Sequence, residues 1–104
     1  MHIVVLVTAA NKEEAQKISN GLIQEKLAAC VNVIDGVNSI FWWEGKVDSA
    51  QETLLVIKTK QSLFEELEKK VKELHSYDCP EIIALSITAG NKAYLDWIDD
   101  STKK

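Results

Sequence analysis

Arginine is missing from this sequence: all 12 basic residues are lysine, set against 16 acids for a net charge of −4. The planar guanidinium fork is the usual clamp for phosphates and for guanine edges, so its absence argues against nucleic acid and phosphoryl substrates. Proline occurs once and glycine four times, and no Pro/Ser-rich or low-complexity stretch interrupts the chain, so residues 1–104 read as a single domain. No long hydrophobic run is present. Ile3 to Val7 is too short for a signal peptide's apolar region and far too short for a membrane span, which makes cytoplasm the expected compartment and removes the membrane as a partner. In that compartment Cys30 and Cys79 are expected as reduced thiols, with a Cys30–Cys79 bridge left open. No GxGxxG, P-loop, GxSxG or HExxH pattern occurs, nor any catalytic triad or carboxylate pair, so no enzyme is expected.

What is present is a regular alternation of elements. Ile3 to Val7 reads as a fully buried strand ending at Thr8. Asn11 with Glu14 forms a capping box, and Ala15, Ile18 and Leu22 give the helix that follows an apolar stripe ending near Lys26. Strand character returns from Ala28 through Ile34, pauses at a bend or bulge at Asp35-Gly36 and resumes over Ile40 to Trp43. Glu44-Gly45-Lys46 is the turn into the next strand, Thr53 to Ile57. Ser62 with Glu65 is a second capping box before Phe64, Leu67, Val71 and Leu74, whose outer face carries Glu65/Lys69, Glu66/Lys70 and Glu68/Lys72 at i,i+4. Pro80 closes the loop from His75, Ile82 to Ile87 is the fourth strand, and Gly90-Asn91 opens a short last helix with Tyr94, Leu95, Trp97 and Ile98. The order predicts an α+β fold: a ferredoxin-like βαββαβ two-layer sandwich with an extra C-terminal helix.

In such a sandwich the sheet face away from the helices normally alternates with polar residues. Here both parities are apolar, Ile3, Val5 and Val7 against Val4 and Leu6, Leu54 and Val56 against Leu55 and Ile57, and Ile83, Leu85 and Ile87 against Ile82 and Ala84. Both faces must therefore be covered, with the choice between Val4 and Val5 as the partner-facing residue left open. One short helix cannot roof four strands, so the remaining area is expected to meet another subunit, with ligand clefts between subunits.

Few residues carry chemistry. Cys30, inside Ala-Ala-Cys-Val, reads as a small core residue. His75, Asp78, Cys79 and Glu81 share one loop and offer donors a transition metal uses, though their spacing matches no zinc pattern. Phe41-Trp42-Trp43 lacks the basic surround of a base-stacking platform and reads as packing. Lys58, at a strand end, is read equally as a cleft residue or a solvated lysine.

Glu25-Lys26-Leu27-Ala28-Ala29-Cys30-Val31-Asn32, Trp42-Trp43-Glu44-Gly45-Lys46, Lys58-Thr59, His75-Ser76-Tyr77-Asp78-Cys79-Pro80-Glu81 and Tyr94-Leu95-Asp96-Trp97, taken in order, resemble the CutA divalent-cation tolerance family over nearly the whole chain. The resemblance implies a cytoplasmic ferredoxin-like homotrimer, related in architecture to PII signalling proteins and associated with tolerance to copper and other divalent metals. It implies a copper-ligand set at positions that here are Val7, Leu74 and His75, of which only His75 can ligate, with Ser76 in place of the family's proline. It also marks Cys30, Trp43, Glu52, Lys58, Tyr77, Glu81 and Trp97 as candidates for lining an inter-subunit cleft for a metal ion or small-molecule ligand. The alternatives on the same fold are a small acylphosphatase-like enzyme, disfavoured because Thr8-Ala9-Ala10-Asn11 holds neither arginine nor glycine, and an RNA-recognition module, ranked last on charge.

Overall fold

The β-branched and leucine residues near the N-terminus form β1 (His2–Ala9), and every second side chain, Ile3, Val5, Val7 and Ala9, is buried in the core. The computed structural model describes residues 1–104 and continues with α1 (Lys12–Gln24), β2 (Cys30–Trp43), β3 (Lys46–Lys60), a 3-10 turn (Gln61–Leu63), α2 (Phe64–Leu74), β4 (Ile82–Ser86) and α3 (Lys92–Ser101). All pairings are antiparallel, in the order β2-β3-β1-β4. The result is a mixed α+β fold of one four-stranded sheet and three helices. No helix is long and apolar enough to cross a membrane.

Alternation on β1 and β3 decides the layering. Val5 and Val7 pair across the sheet with Ile57 and Leu55, and these four pack with Ala15, Ile18 and Leu22 of α1 and Leu67 and Val71 of α2 into one core cluster. The two helices approach closely at Gly21, where an added Cβ would sit 2.9 Å from Leu74 Cδ1. Val4, Leu6, Leu54 and Val56 point to the opposite face and are only half-buried. There α3 supplies Ile98, fully buried but outside the main cluster, and is pinned by His2 Nε2 to Asp99 Oδ1 at 3.0 Å. Ile83 and Leu85 of β4 stay half exposed.

The hairpin is longer and more continuous than the sequence pattern suggests. β2 runs unbroken through Asp35-Gly36, which is a β-bulge: the register jumps between the Ile34/Leu54 and Val37/Glu52 pairs. Gly36 takes φ +75° there, and Thr53 Oγ1 donates to Asp35 Oδ1 at 3.0 Å. Beyond the bulge the two strands project as a ribbon closed by Glu44 (φ 51°) and Gly45 (φ 78°), both left-handed as a two-residue type I′ turn requires. This ribbon accounts for much of the 44 Å long axis.

Two local expectations are corrected. Ser62 and Glu65 form no capping box: residues 61–63 turn as a 3-10 helix, and α2 starts at Phe64 with no side-chain cap. Of the three i,i+4 pairs only Glu68–Lys72 forms, at 3.7 Å. Lys70 instead reaches Glu25, the residue that caps the C-terminus of α1, at 2.7 Å, and Glu66 meets Lys103. Exposed helix pairs are worth only a few tenths of a kcal/mol, roughly, so better-placed partners on neighbouring segments win.

α1 ends in a Schellman arrangement, with Leu27 N–H donating to Leu22 O at 2.9 Å and Lys26 N–H to Ile23 O at 3.1 Å. Its left-handed position is held by Lys26 at φ 56°, not by glycine. Lys26→Gly removes the Cβ penalty while keeping both backbone bonds. It should raise unfolding stability by about 1 kcal/mol, measured by denaturant titration at fixed chain concentration; a loss of stability would contradict this account of the cap.

Candidate functional site

The residues singled out by sequence fall into two clusters and an isolated tip. The first lies at the corner between β1 and α1. Asn11 caps α1 as expected, its Oδ1 accepting Glu14 N–H at 2.8 Å. The Glu14 carboxylate does not return to Asn11; it accepts Ala10 N–H at 3.0 Å and Ser76 N–H at 2.8 Å, binding the loop after α2 to the start of α1. Burial pushes the Glu14 carboxyl up, but the Ala10 N–H and the Ser76 hydroxyl and N–H outweigh it and leave the group below its ordinary value.

The His75 side chain is fully buried. Its Nε2 stands 2.7 Å from Thr8 O, and its Nδ1 accepts Tyr77 N–H at 3.1 Å, an arrangement that places the ring proton on Nε2. The Tyr77 ring leans on the imidazole at 4.7 Å between centroids, and its hydroxyl donates to Glu52 Oε2 at 2.9 Å. Glu52 is buried at the root of the hairpin ribbon. Burial first, then the hydrogen bond and negative charge of Glu52, with Glu14 behind, push the Tyr77 hydroxyl up to about 12. Glu81, Asp78 and Cys79 are exposed further along the loop.

The second cluster lies on the other sheet face under α3. Cys30 pairs with Lys58 across β2 and β3, with Lys58 Nζ 3.9 Å from Cys30 Sγ and in contact with Asn32 Oδ1. Tyr94 lies against Cys30; burial, then the thiol, raise its hydroxyl above the ordinary value. Tyr94 and Trp97 present neighbouring rings 5.4 Å apart. Trp43 stands apart at the ribbon tip beside the turn. At roughly 3.3 Å per residue, Trp43 is about 40 Å from Cys30 along the same strand, so one chain cannot gather all seven candidates into one cleft. Both cysteines are free.

Sequence reasoning saw Glu14 only as a cap, and Tyr94 as part of an apolar stripe and of the closing Tyr94-Leu95-Asp96-Trp97 motif, without a contact for either. Their roles depend on partners about sixty residues away in the chain, for which no local pattern exists. A concavity of about 320 Å³ beside β4, lined in part by Ile3 and Phe64, includes none of the candidates.

A divalent ion needs several converging donors. No three His, Cys, Asp or Glu side chains of one chain come together as such a set. Both His75 nitrogens are engaged, and Val7 and Leu74 have no donor to add. The residues of a single chain therefore do not fit a resident metal. Nor does the β1–α1 corner suit the phosphate of an acylphosphatase-like reaction, because the Glu14 carboxylate occupies the Ala10 N–H that an anion would use.

Raised in the folded state, the Tyr77 hydroxyl contributes stability that is complete below the unfolded tyrosine value near 10 and is lost as pH rises through about 12. Glu52→Gln should lower the Tyr77 titration midpoint from about 12 without restoring the ordinary value, since burial persists. Ultraviolet difference titration of both proteins checks this; an unchanged midpoint would remove Glu52 from the account.

Residues 3–101 match the family described as CutA1 divalent ion tolerance protein. The chloroplastic protein CutA of Arabidopsis thaliana is 54% identical over 101 residues, 97% of this chain but 56% of the relative, so the chain spans little more than half of that protein's length. Among solved structures, the divalent cation tolerance protein Cut A1 of Thermus thermophilus superposes with a TM-score of 0.97 at 47% identity, covering 99% of this chain and 100% of that one. The structure described as the periplasmic divalent cation tolerance protein CutA of Archaeoglobus fulgidus gives 0.96 at 44% identity, with 99% and 100% covered. With near-complete coverage of the chain in sequence and in fold, the protein belongs to the CutA1 divalent ion tolerance family.

Proposed function

We propose that this protein acts in divalent-cation tolerance as a cytoplasmic homotrimer on a ferredoxin-like fold, holding copper, another divalent ion or a small-molecule ligand at clefts between subunits, without catalysing a reaction. The observation that carries this reading is the apolar hairpin ribbon. Ile40 is 70% exposed, Trp42 75% and Val47 61%, on a protein that is otherwise ordinary in composition. Contiguous exposed apolar surface of this kind marks an association site. Ile83 and Leu85, half exposed on β4, provide a second such surface on the opposite edge of the sheet. Two different patches that meet head to tail form a ring when the rotation closes.

Placing the ligand between subunits accounts for the scattered candidates. Cys30, Lys58 and Trp97 sit at one end of a chain, Trp43 at the other, and Glu52, Tyr77 and Glu81 between them, so only neighbouring copies can bring the groups together. Asp78, Cys79 and Glu81 are exposed donors without side-chain partners in their own chain, free to complete a coordination shell across an interface.

Sedimentation equilibrium at micromolar concentration should give the mass of three chains. Trp42→Asp, at a position open to solvent in the single chain, should leave the fold intact and release monomer, because burying an unpaired carboxylate costs several kcal/mol, roughly, or more than about a hundredfold in affinity. Calorimetric titration with copper or zinc should show binding to wild type that the monomeric variant loses. A wild-type monomer would overturn the assembly, and metal binding retained by the monomer would overturn the placement of the ligand.

A further inference from the structure

The imidazole that family resemblance marks as a metal ligand has a different task in this chain. We infer that His75 is a latch: it fastens the Ser76–Glu81 segment to the β1–α1 corner and ligates no divalent ion.

Geometry carries this. A ligating imidazole offers one nitrogen to the metal and steadies itself with the other. His75 spends both on backbone groups: Nε2–H on the Thr8 carbonyl at 2.7 Å, Nδ1 on Tyr77 N–H at 3.1 Å. Metal on Nε2 would strand the Thr8 carbonyl; metal on Nδ1 would strand the Tyr77 N–H. An orphaned buried backbone group costs about 1–3 kcal/mol, and a ring with no exposed surface gives an ion no approach. The nearest carboxylate, Glu14 Oε2, is 3.9 Å from Nδ1 and already accepts Ala10 N–H. It shares the latch by holding Ser76 N–H.

The latch reaches beyond its own loop. Tyr77, held by His75 through its N–H and by ring contact, passes its hydroxyl to Glu52. Glu52 pairs with Val37 immediately past the Asp35-Gly36 bulge, where the ribbon leaves the sheet. His75 thus positions the root of the ribbon through Tyr77. This role rests on contacts within one chain and stands independently of the proposed trimer and of any ion held between subunits.

Nitrogen-15 NMR of wild-type protein tests the ligation directly. His75 Nδ1 should resonate as an unprotonated acceptor and Nε2 as a protonated donor, and neither should move when zinc is added to saturation. A zinc-dependent shift of either resonance, or the opposite tautomer, would overturn the inference. His75→Ala supplies the second arm: Ser76 and Tyr77 amides should exchange with solvent faster by about tenfold or more. Unaltered exchange would remove the latch.

Discussion

The sheet is apolar on both faces, and most of the structure answers that constraint. Val5, Val7, Leu55 and Ile57 are satisfied by α1 and α2, while Val4, Leu6, Leu54 and Val56 face the other way with only α3 above them. A strand with one polar face fixes its own register, because a slip by one residue would expose the core set. β1 and β3 lack that safeguard, since either parity is apolar. Register has to come from elsewhere, and the hairpin provides it at two points. Glu44-Gly45 closes the turn with both residues left-handed, and the Asp35-Gly36 bulge absorbs one extra residue while Asp35 receives the Thr53 hydroxyl. The bulge and the turn thus hold β2 and β3 in one alignment.

The polar corner solves a different problem. The segment between α2 and β4 has no strand or helix to satisfy its backbone, and it crosses the end of β1, where Thr8 O and Ala10 N–H are likewise left over. Glu14 and His75 take up Thr8 O and the N–H groups of Ala10, Ser76 and Tyr77 between them. Burial at this corner, then the hydrogen bond and charge of Glu52 and behind them the charge of Glu14, is why the Tyr77 phenol resists ionisation. The same negative charge makes the corner inhospitable to phosphate, although its place at the end of the first strand is one where other folds bind anions.

Most of the architecture was legible in the sequence because it depends on short-range periodicity. The α1 stripe of Ala15, Ile18 and Leu22, the Asn11 cap and the Asp35-Gly36 irregularity each announce themselves within a few residues. The Ser62-Glu65 box failed for a physical reason: the 3-10 turn at Gln61–Leu63 brings Leu63 into the core, and burial of leucine outweighs a cap worth about 1 kcal/mol. The Glu66–Lys70 pair failed because Glu25 and the C-terminal tail offered Lys70 and Glu66 partners outside their own helix. At the corner, sequence identified His75 and Tyr77 as members of one loop but not what they touch. Thr8 and Glu14 are about sixty or more positions away, and a residue type does not reveal whether its nitrogen is already in use.

Coordination arithmetic connects the single chain to the proposed assembly. A structural or tightly held ion takes four or more donors, and each chain presents only isolated ones: the Asp78, Cys79 and Glu81 side chains are exposed on a loop, and the Cys30 thiol lies far across the sheet beside Lys58. Threefold symmetry changes the count without changing the sequence, because every donor near an axis or an interface is repeated by its copies. A loop held by His75 is useful in that setting, since donors that must meet those of another subunit need a fixed origin in their own. In this chain the buried imidazole would therefore contribute to metal chemistry only by holding other groups in place. The family's sensitivity to divalent ions would then reside in surfaces that a single protomer leaves incomplete.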